Sequence, residues 1–432
     1  MSVPVVGQQL LACLALGISL AVAFAWVLAS YFSVDVVGSL IWPGSDGYCE
    51  TPSQGLGVHC FSDLSMFLGL GASMDPEGLS PAVKFYPPLN RLGFFTFQLL
   101  AIGVGHLGAV LLYVALSATC LLAPIVWVSR RLPIRDQAVI VSLAGLLTYP
   151  FLATIDRGNN VAFAVPFIFA FVVALERQRF TMAIAALVLG SQIKPQVGLL
   201  VAGFLVLRQI KNFVIAAGAS VSLFLASFLI YSVLPGGLSP VQEFKDWILY
   251  TRIFDQLYPL TQMYPVNLSF VHLVAVVQEA FGFGQGHAGM VQFVVYLLVG
   301  GALAAIVWRG SRLGIAIWFP AILMGVLLLP NLVFAYYSVG ALVVASLFFH
   351  QKFATQIAGA PRLVRWLLVG ALTASLVPLL IPGGPAEGLM LASEMGIVVS
   401  VLPRLASALW LAYVITTAIV AVRDGPRITI AK

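Results

Sequence analysis

Lys194 stands in the middle of an apolar stretch, residues 180–207, and is followed at once by Pro195. An ammonium at membrane depth costs several kcal/mol unless an anion meets it. A proline cannot continue the hydrogen bonding of a helix, so the backbone is expected to break at the same point. A break that carries a cation has the makings of an anion site. A structural pair with an acid such as Asp156, or snorkelling to the interface, would also account for the charge. Arg157, in the string Asp156-Arg157-Gly158-Asn159-Asn160, offers a fork of donors suited to phosphate oxygens; the same string also reads as an ordinary turn closed by an Asp–Arg pair. Arg404, directly after Pro403, is either a second phosphate partner or a structural cation. Asp63 is a carboxylate in the otherwise apolar string 61–70. Partly desolvated, it can serve as general base to a hydroxyl; its plainer role is to cap a helix. Asn331, Tyr336 and Tyr337 follow Pro330 and can hydrogen-bond a sugar or pair between helices. The five histidines show no ligand spacing, and zinc, Walker and dinucleotide motifs are lacking, so neither a metal nor a bound cofactor is expected.

The elements that must position these groups follow from composition. Of 432 residues, 61% are hydrophobic and 9% charged, with a mean hydropathy of +1.02. Such a chain is a polytopic membrane protein. Apolar runs of membrane-spanning length cover residues 10–31, 107–128, 137–155, 160–175, 212–234, 290–308, 313–330, 332–349, 363–382 and 396–422. The net charge of +6 does not mark a nucleic-acid partner, because Arg130, Arg131, Arg135, Arg177, Arg179, Arg208, Lys211, Arg309, Arg312, Lys352, Arg362, Arg365, Arg423, Arg427 and Lys432 all fall in short links or the tail. They assign those segments, and both termini, to the cytoplasm. Residues 180–207 have basic pairs at both ends, so they are expected to form a tight helical hairpin with Lys194-Pro195 at its outer tip, each arm reaching about 20 Å. The first span is read as a retained helix, not a cleaved signal peptide.

The chain is expected to form one integral membrane domain over 1–432, with a first extracytoplasmic loop at 34–90 and a second such region at 236–289. The first loop holds a helix starting near Ser62 or Asp63, and residues 91–105 form an interfacial amphipathic helix that leads into the next span. In the second region residues 241–257 read as a helix lying on the surface, followed by a short apolar run to Ala280. Cys49 and Cys60 in the first loop are expected to form a disulfide in an oxidising exterior, two free thiols being the alternative. Cys13 and Cys120 lie in apolar spans and are expected to be packing residues.

In this order the segments resemble the polyprenyl-phosphate-dependent membrane glycosyltransferases of the GT-C fold, specifically glycosyltransferase family 87, over about residues 10–350. The matching strings are Asp63-Leu64 with Phe67 and Gly69, Tyr86-Pro87-Pro88, Gly158-Asn159-Asn160, Lys194-Pro195, Asn267-Leu268-Ser269 and Ala335-Tyr336-Tyr337-Ser338. The resemblance implies an all-α polytopic membrane protein, a GT-C-like bundle of about 10–12 transmembrane helices with extracytoplasmic loop helices. It also implies an inverting enzyme that moves mannose or arabinofuranose from a polyprenyl-phosphate donor to a glycolipid or glycan acceptor, at the extracytoplasmic face of the plasma membrane, in cell-envelope synthesis. Asp63 would be the base. Lys194, Arg157 and Arg404 would hold the donor phosphate. Tyr86, Asn159, Asn160, Asn267, Tyr336 and Tyr337 would line the substrate site. The lipid-linked sugar phosphate would be a co-substrate, and membrane lipids the other partners. Family mannosyltransferases often carry histidine where this chain has Tyr336-Tyr337, and the aspartate lies deeper in a longer loop than usual, so the sugar stays open. The competing class is a transporter or flippase for an anionic or lipid-linked substrate, which should often show inverted repeats; the two halves of this chain do not look alike.

Overall fold

A computed structural model describes residues 2–32, 88–233, 239–257, 267–280, 288–330, 333, 335–378 and 396–423. Every regular element among them is helical, as lipid requires of any open, spanning backbone. The chain runs through α1 (Val5–Phe32), α2 (Pro88–Ser129), α3 (Ile134–Val141), α4 (Tyr149–Arg157), α5 (Val165–Glu176), α6 (Phe180–Ile193), α7 (Ala202–Val206) and α8 (Ile210–Ser232). It continues through α9 (Pro240–Leu257), α10 (Phe270–Ala280), α11 (Ala288–Arg309), α12 (Ile315–Leu327), α13 (Val339–Leu347), α14 (Gln351–Ala358), α15 (Arg362–Leu376) and α16 (Gly396–Val422).

Helices apolar on every side belong in the middle of a bundle. All residues of α12 and α13 are buried. Around them α1, α8 and α11 keep large apolar side chains exposed, among them Leu16, Leu20, Val221, Leu225, Phe293 and Leu297. Polar pegs fix the last helix to this core: Trp410 Nε1 donates to Ser375 Oγ (2.8 Å) and Tyr413 Oη to the Ile317 carbonyl (2.7 Å).

Among the described residues five helical segments are each long and apolar enough to cross a membrane: Val5–Val27, Leu107–Ser129, Ile210–Ile230, Gly289–Arg312 and Arg404–Val422. The remaining apolar segments are shorter or broken, and the breaks matter for the site. The run at 137–155 is not one straight span, as its hydropathy alone implied. It bends by 61° between residues 146 and 149, where a π-helical turn, Ser142–Leu146, ends α3. Thr148 Oγ1 donates to the Gly145 carbonyl (2.6 Å), so a side chain takes up an acceptor exposed at the bend. Within α2 the backbone departs from helix at Gly105 (φ 79, ψ 159), a conformation open to glycine because it has no Cβ. This is where the segment read as amphipathic gives way to the apolar span.

The stretch 180–207 folds back on itself as its flanking charges require. α6 packs against the 3-10 helix Pro195–Val201, which leads through α7 to the turn at Arg208. Both basic turns of this hairpin are tight: Gln178 and Arg208 adopt left-handed backbone, φ 55 and φ 60.

The basic turns gather at one end of the bundle. Lys352 Nζ lies 2.8 Å from Glu176 Oε1, and Gln356 Nε2 donates to the same oxygen. His350, in the link between α13 and α14, stacks on Trp127 with ring centroids 5.8 Å apart. Burial, then the Arg177 and Lys352 charges, hold its imidazole below the ordinary 6.5, against the opposing pull of Glu176. A histidine whose folded-state pKa is depressed takes up its proton in the unfolded state first, so stability is full above about 6.5 and declines as pH falls from there toward the lower folded value. Thermal unfolding in detergent should therefore show Tm dropping on acidification through that window, and His350→Asn should flatten the slope. An unchanged slope in the variant would assign the pH dependence to other groups.

Candidate functional site

The two residues before a helix break decide where the break points. Lys194 has extended backbone (φ −136, ψ 109), the region to which a following proline restricts it. It is the pivot between α6 and the 3-10 helix. Its side chain is 5% exposed, and Nζ lies 5.0 Å from the ring centroid of Tyr337. A desolvated ammonium over an aromatic face gains about 2 kcal/mol, which offsets only part of the cost of burying the charge. Gln192, two residues earlier and also buried, donates from Nε2 to the Ser220 carbonyl (3.3 Å) and so ties the end of α6 to α8. With about 14 residues at 1.5 Å each, Lys194 stands roughly 20 Å from the basic turn at Arg179.

Tyr337 belongs to the 3-10 helix Ala335–Ser338, and α4 packs against that helix. Arg157 closes α4, and Gly158 follows with left-handed backbone, φ 65 and ψ 33. This sharp reversal delivers Asn159 and Asn160, both buried. Asn159 Oδ1 accepts from the Val161 amide (2.9 Å) and caps the 3-10 helix Asn160–Ala164, which packs on α6. The reversal is held from behind by Tyr113, whose hydroxyl donates to the Gly158 carbonyl (2.9 Å). The Tyr113 ring meets Phe97 and Phe163 edge-on, at 5.0 and 5.5 Å.

Asn267 braces the same region from another side. Its Oδ1 accepts from the amides of Ser269 (2.9 Å) and Val333 (3.1 Å). The Leu268 amide donates to the Val333 carbonyl (2.8 Å), and Ser269 Oγ donates to the Pro330 carbonyl. The Asn-Leu-Ser string is therefore a buried clamp between the start of α10 and the segment that carries Tyr337. Ser407 Oγ donates to the Leu268 carbonyl (2.8 Å), which sets Arg404, one turn earlier on α16, beside that clamp.

The structure thus brings Lys194, Tyr337, the Arg157 end of α4, Asn159, Asn160, Asn267 and the Arg404 end of α16 to one end of the bundle. It is the end opposite the basic turns, since α5, α6 and α13 each run from one set to the other. Asp63, Tyr86 and the Cys49/Cys60 pair lie outside the described residues, as do the side chains of Arg157 and Tyr336. Cys13 and Cys120 are free thiols. Among the described residues no three His, Cys, Asp or Glu side chains come close enough to hold a metal ion.

Two features escaped the sequence reading. Tyr113 carried no signal, being one aromatic among many in an apolar run. The other is the pair Arg91–Glu243, joined at 2.9 Å with side chains only 4% and 3% exposed. It locks the start of α2 to α9, so α9 does not merely lie on the surface. Its Phe244 and Trp247 pack edge-on against Phe228 and Phe224 of α8, at 5.4 and 5.2 Å. Residues 152 positions apart leave no local trace of such a pairing.

Residues 85–330, α2 through α12, match glycosyltransferase family 87. The matched region holds Gly158–Asn160, Lys194 and Asn267, and stops short of Tyr337 and Arg404. Neither a curated protein nor a solved structure matches the chain.

The buried pair sets a clear expectation for stability. Removing one partner leaves an uncompensated buried charge, at a cost of about 3–5 kcal/mol, whereas replacing both with apolar residues costs far less. Arg91→Met alone, which strands the Glu243 carboxylate, should lower Tm markedly, and combining it with Glu243→Leu should recover most of the loss. Equal losses in the single and double variants would mean that the two charges are not coupled.

Proposed function

Because the chain belongs to glycosyltransferase family 87, we propose that it transfers mannose or arabinofuranose from a polyprenyl-phosphate donor to a glycolipid or glycan acceptor of the cell envelope, with inversion at the anomeric carbon. The observation that carries this proposal is the buried ammonium of Lys194 at a helix break, against Tyr337, whose 3-10 helix packs on the helix that ends at the Gly158 reversal. An alkyl phosphate entering sideways from lipid needs a cation at that depth, and a sugar needs an aromatic wall and amides beside it.

Lys194 receives the donor phosphate, with Arg157 and Arg404 as further partners. Asp63 takes the proton of the acceptor hydroxyl, which attacks the anomeric carbon from the face opposite the phosphate. The C–O bond to the phosphate breaks as the new glycosidic bond forms. Fixed cations stabilise the leaving phosphate as its negative charge grows. Tyr86, Tyr336 and Tyr337 bound the sugar. Asn159 and Asn267 act through the backbone: each commits its side-chain oxygen to amides of the turn it braces. The lipid-linked sugar phosphate is a co-substrate and no other cofactor takes part. The basic turns face the cytoplasm by the positive-inside rule, which puts the site on the extracytoplasmic side of the plasma membrane and both chain ends inside. A transporter or flippase, the other class the composition allows, has no support from the family match.

Purified protein in lipid, incubated with a panel of polyprenyl-phosphate sugars and an envelope lipid extract, should yield product from one donor class; nucleotide sugars should give none. Lys194→Ala should slow transfer or weaken donor binding by roughly 10–1000-fold, the range for losing one charge-assisted contact to a developing anion. Kinetics unchanged in that variant would make Lys194 structural. Asp63→Asn should abolish turnover while donor binding persists, and turnover retained there would rule out Asp63 as the base.

A further inference from the structure

The end of the bundle remote from the proposed chemistry holds an arrangement that catalysis does not use. Trp127 lies in the last turn of α2. The Arg130 guanidinium sits 5.0 Å from its ring centroid and the Arg177 guanidinium 5.3 Å. His350 is stacked on the same ring, nearly parallel at 8°, and Phe169 closes it edge-on at 5.4 Å. Both arginines are exposed.

The acid next to Arg177 in sequence is already committed. Glu176 Oε1 is bound to Lys352 and Gln356. Among the described residues neither Arg130 nor Arg177 has a carboxylate within ion-pair distance. Two like charges drawn from different links are therefore fixed on one indole with no protein anion between them. Apolar side chains also stand exposed on the same helices: Val126 of α2 and Ile134 and Val139 of α3. Tryptophan at the end of a spanning helix marks the headgroup level, and guanidinium forks match phosphate oxygens.

We propose that Arg130 and Arg177 bind the phosphodiester of an anionic phospholipid in the leaflet on the basic side, with Trp127 as the platform under the headgroup. The acyl chains descend along Val126 and the exposed apolar face of α3. The bound lipid ties α2 to the α5–α6 turn, and through the His350 stack to the α13–α14 link. It supplies the counter-charge that the protein leaves out.

The test is thermal unfolding of the full chain in nanodiscs of phosphatidylcholine, with and without phosphatidylglycerol, together with native mass spectrometry of retained lipid. For the unmodified protein, phosphatidylglycerol should raise Tm by a few degrees and one molecule should survive desolvation. Arg130→Gln with Arg177→Gln should lose both effects; Arg312→Gln with Arg362→Gln, which removes the same charge elsewhere on that end, should keep them. The readout is the difference between the two lipid compositions for each variant, so a general loss of stability does not mimic the result. Where the paired variant fails to fold, Arg177→Gln alone should lose most of the lipid-dependent shift. An equal shift with and without the arginines would overturn the proposal. So would inorganic phosphate in pure phosphatidylcholine reproducing the stabilisation, because the ligand would then be a soluble anion.

Discussion

Backbone groups released inside an apolar bundle must be satisfied by protein, and this constraint organises the end of the molecule that carries Lys194. Among the described residues, helices are interrupted there after Arg157, at Lys194-Pro195 and between Leu328 and Val339. In lipid each orphaned amide or carbonyl costs several kcal/mol. Asn159, Asn267, Ser269 and Tyr113 answer that cost, each by hydrogen-bonding a main-chain group at a break. The breaks then become useful. They allow short polar strings to stand at membrane depth without exposing main chain to hydrocarbon, and they turn helix ends inward.

The two ends of the bundle solve different electrostatic problems. At one end Lys194 is withdrawn from solvent and set over Tyr337. At the other end the arginines stay exposed and stack on Trp127, where water and headgroups can reach them. Between them lies the wholly apolar pair α12 and α13, which gives the bundle a rigid middle. The Arg91–Glu243 pair fixes α9 to the start of α2.

Several residues with the look of ligands are engaged in structure. Asn267 uses its carbonyl oxygen to hold two amides, and Asn159 caps a 3-10 helix. Both strings thus act by shaping the chain. Residue type and order had marked these strings; which atoms each would use followed from where the broken helices ended.

Composition and charge placement by themselves determined that the chain is a helical membrane protein, that its basic links share one side, and that 180–207 turns back at Lys194-Pro195. These are consequences of solvation free energy and of proline stereochemistry, which act residue by residue and leave periodic or local traces. The tertiary structure alone decided that Lys194 meets Tyr337, that Tyr113 holds the Gly158 reversal, that the 137–155 run is bent, and that Arg91 finds Glu243. Those contacts join residues far apart in the chain within a nearly uniform apolar background, where many partners satisfy the hydropathy equally well and only packing selects one.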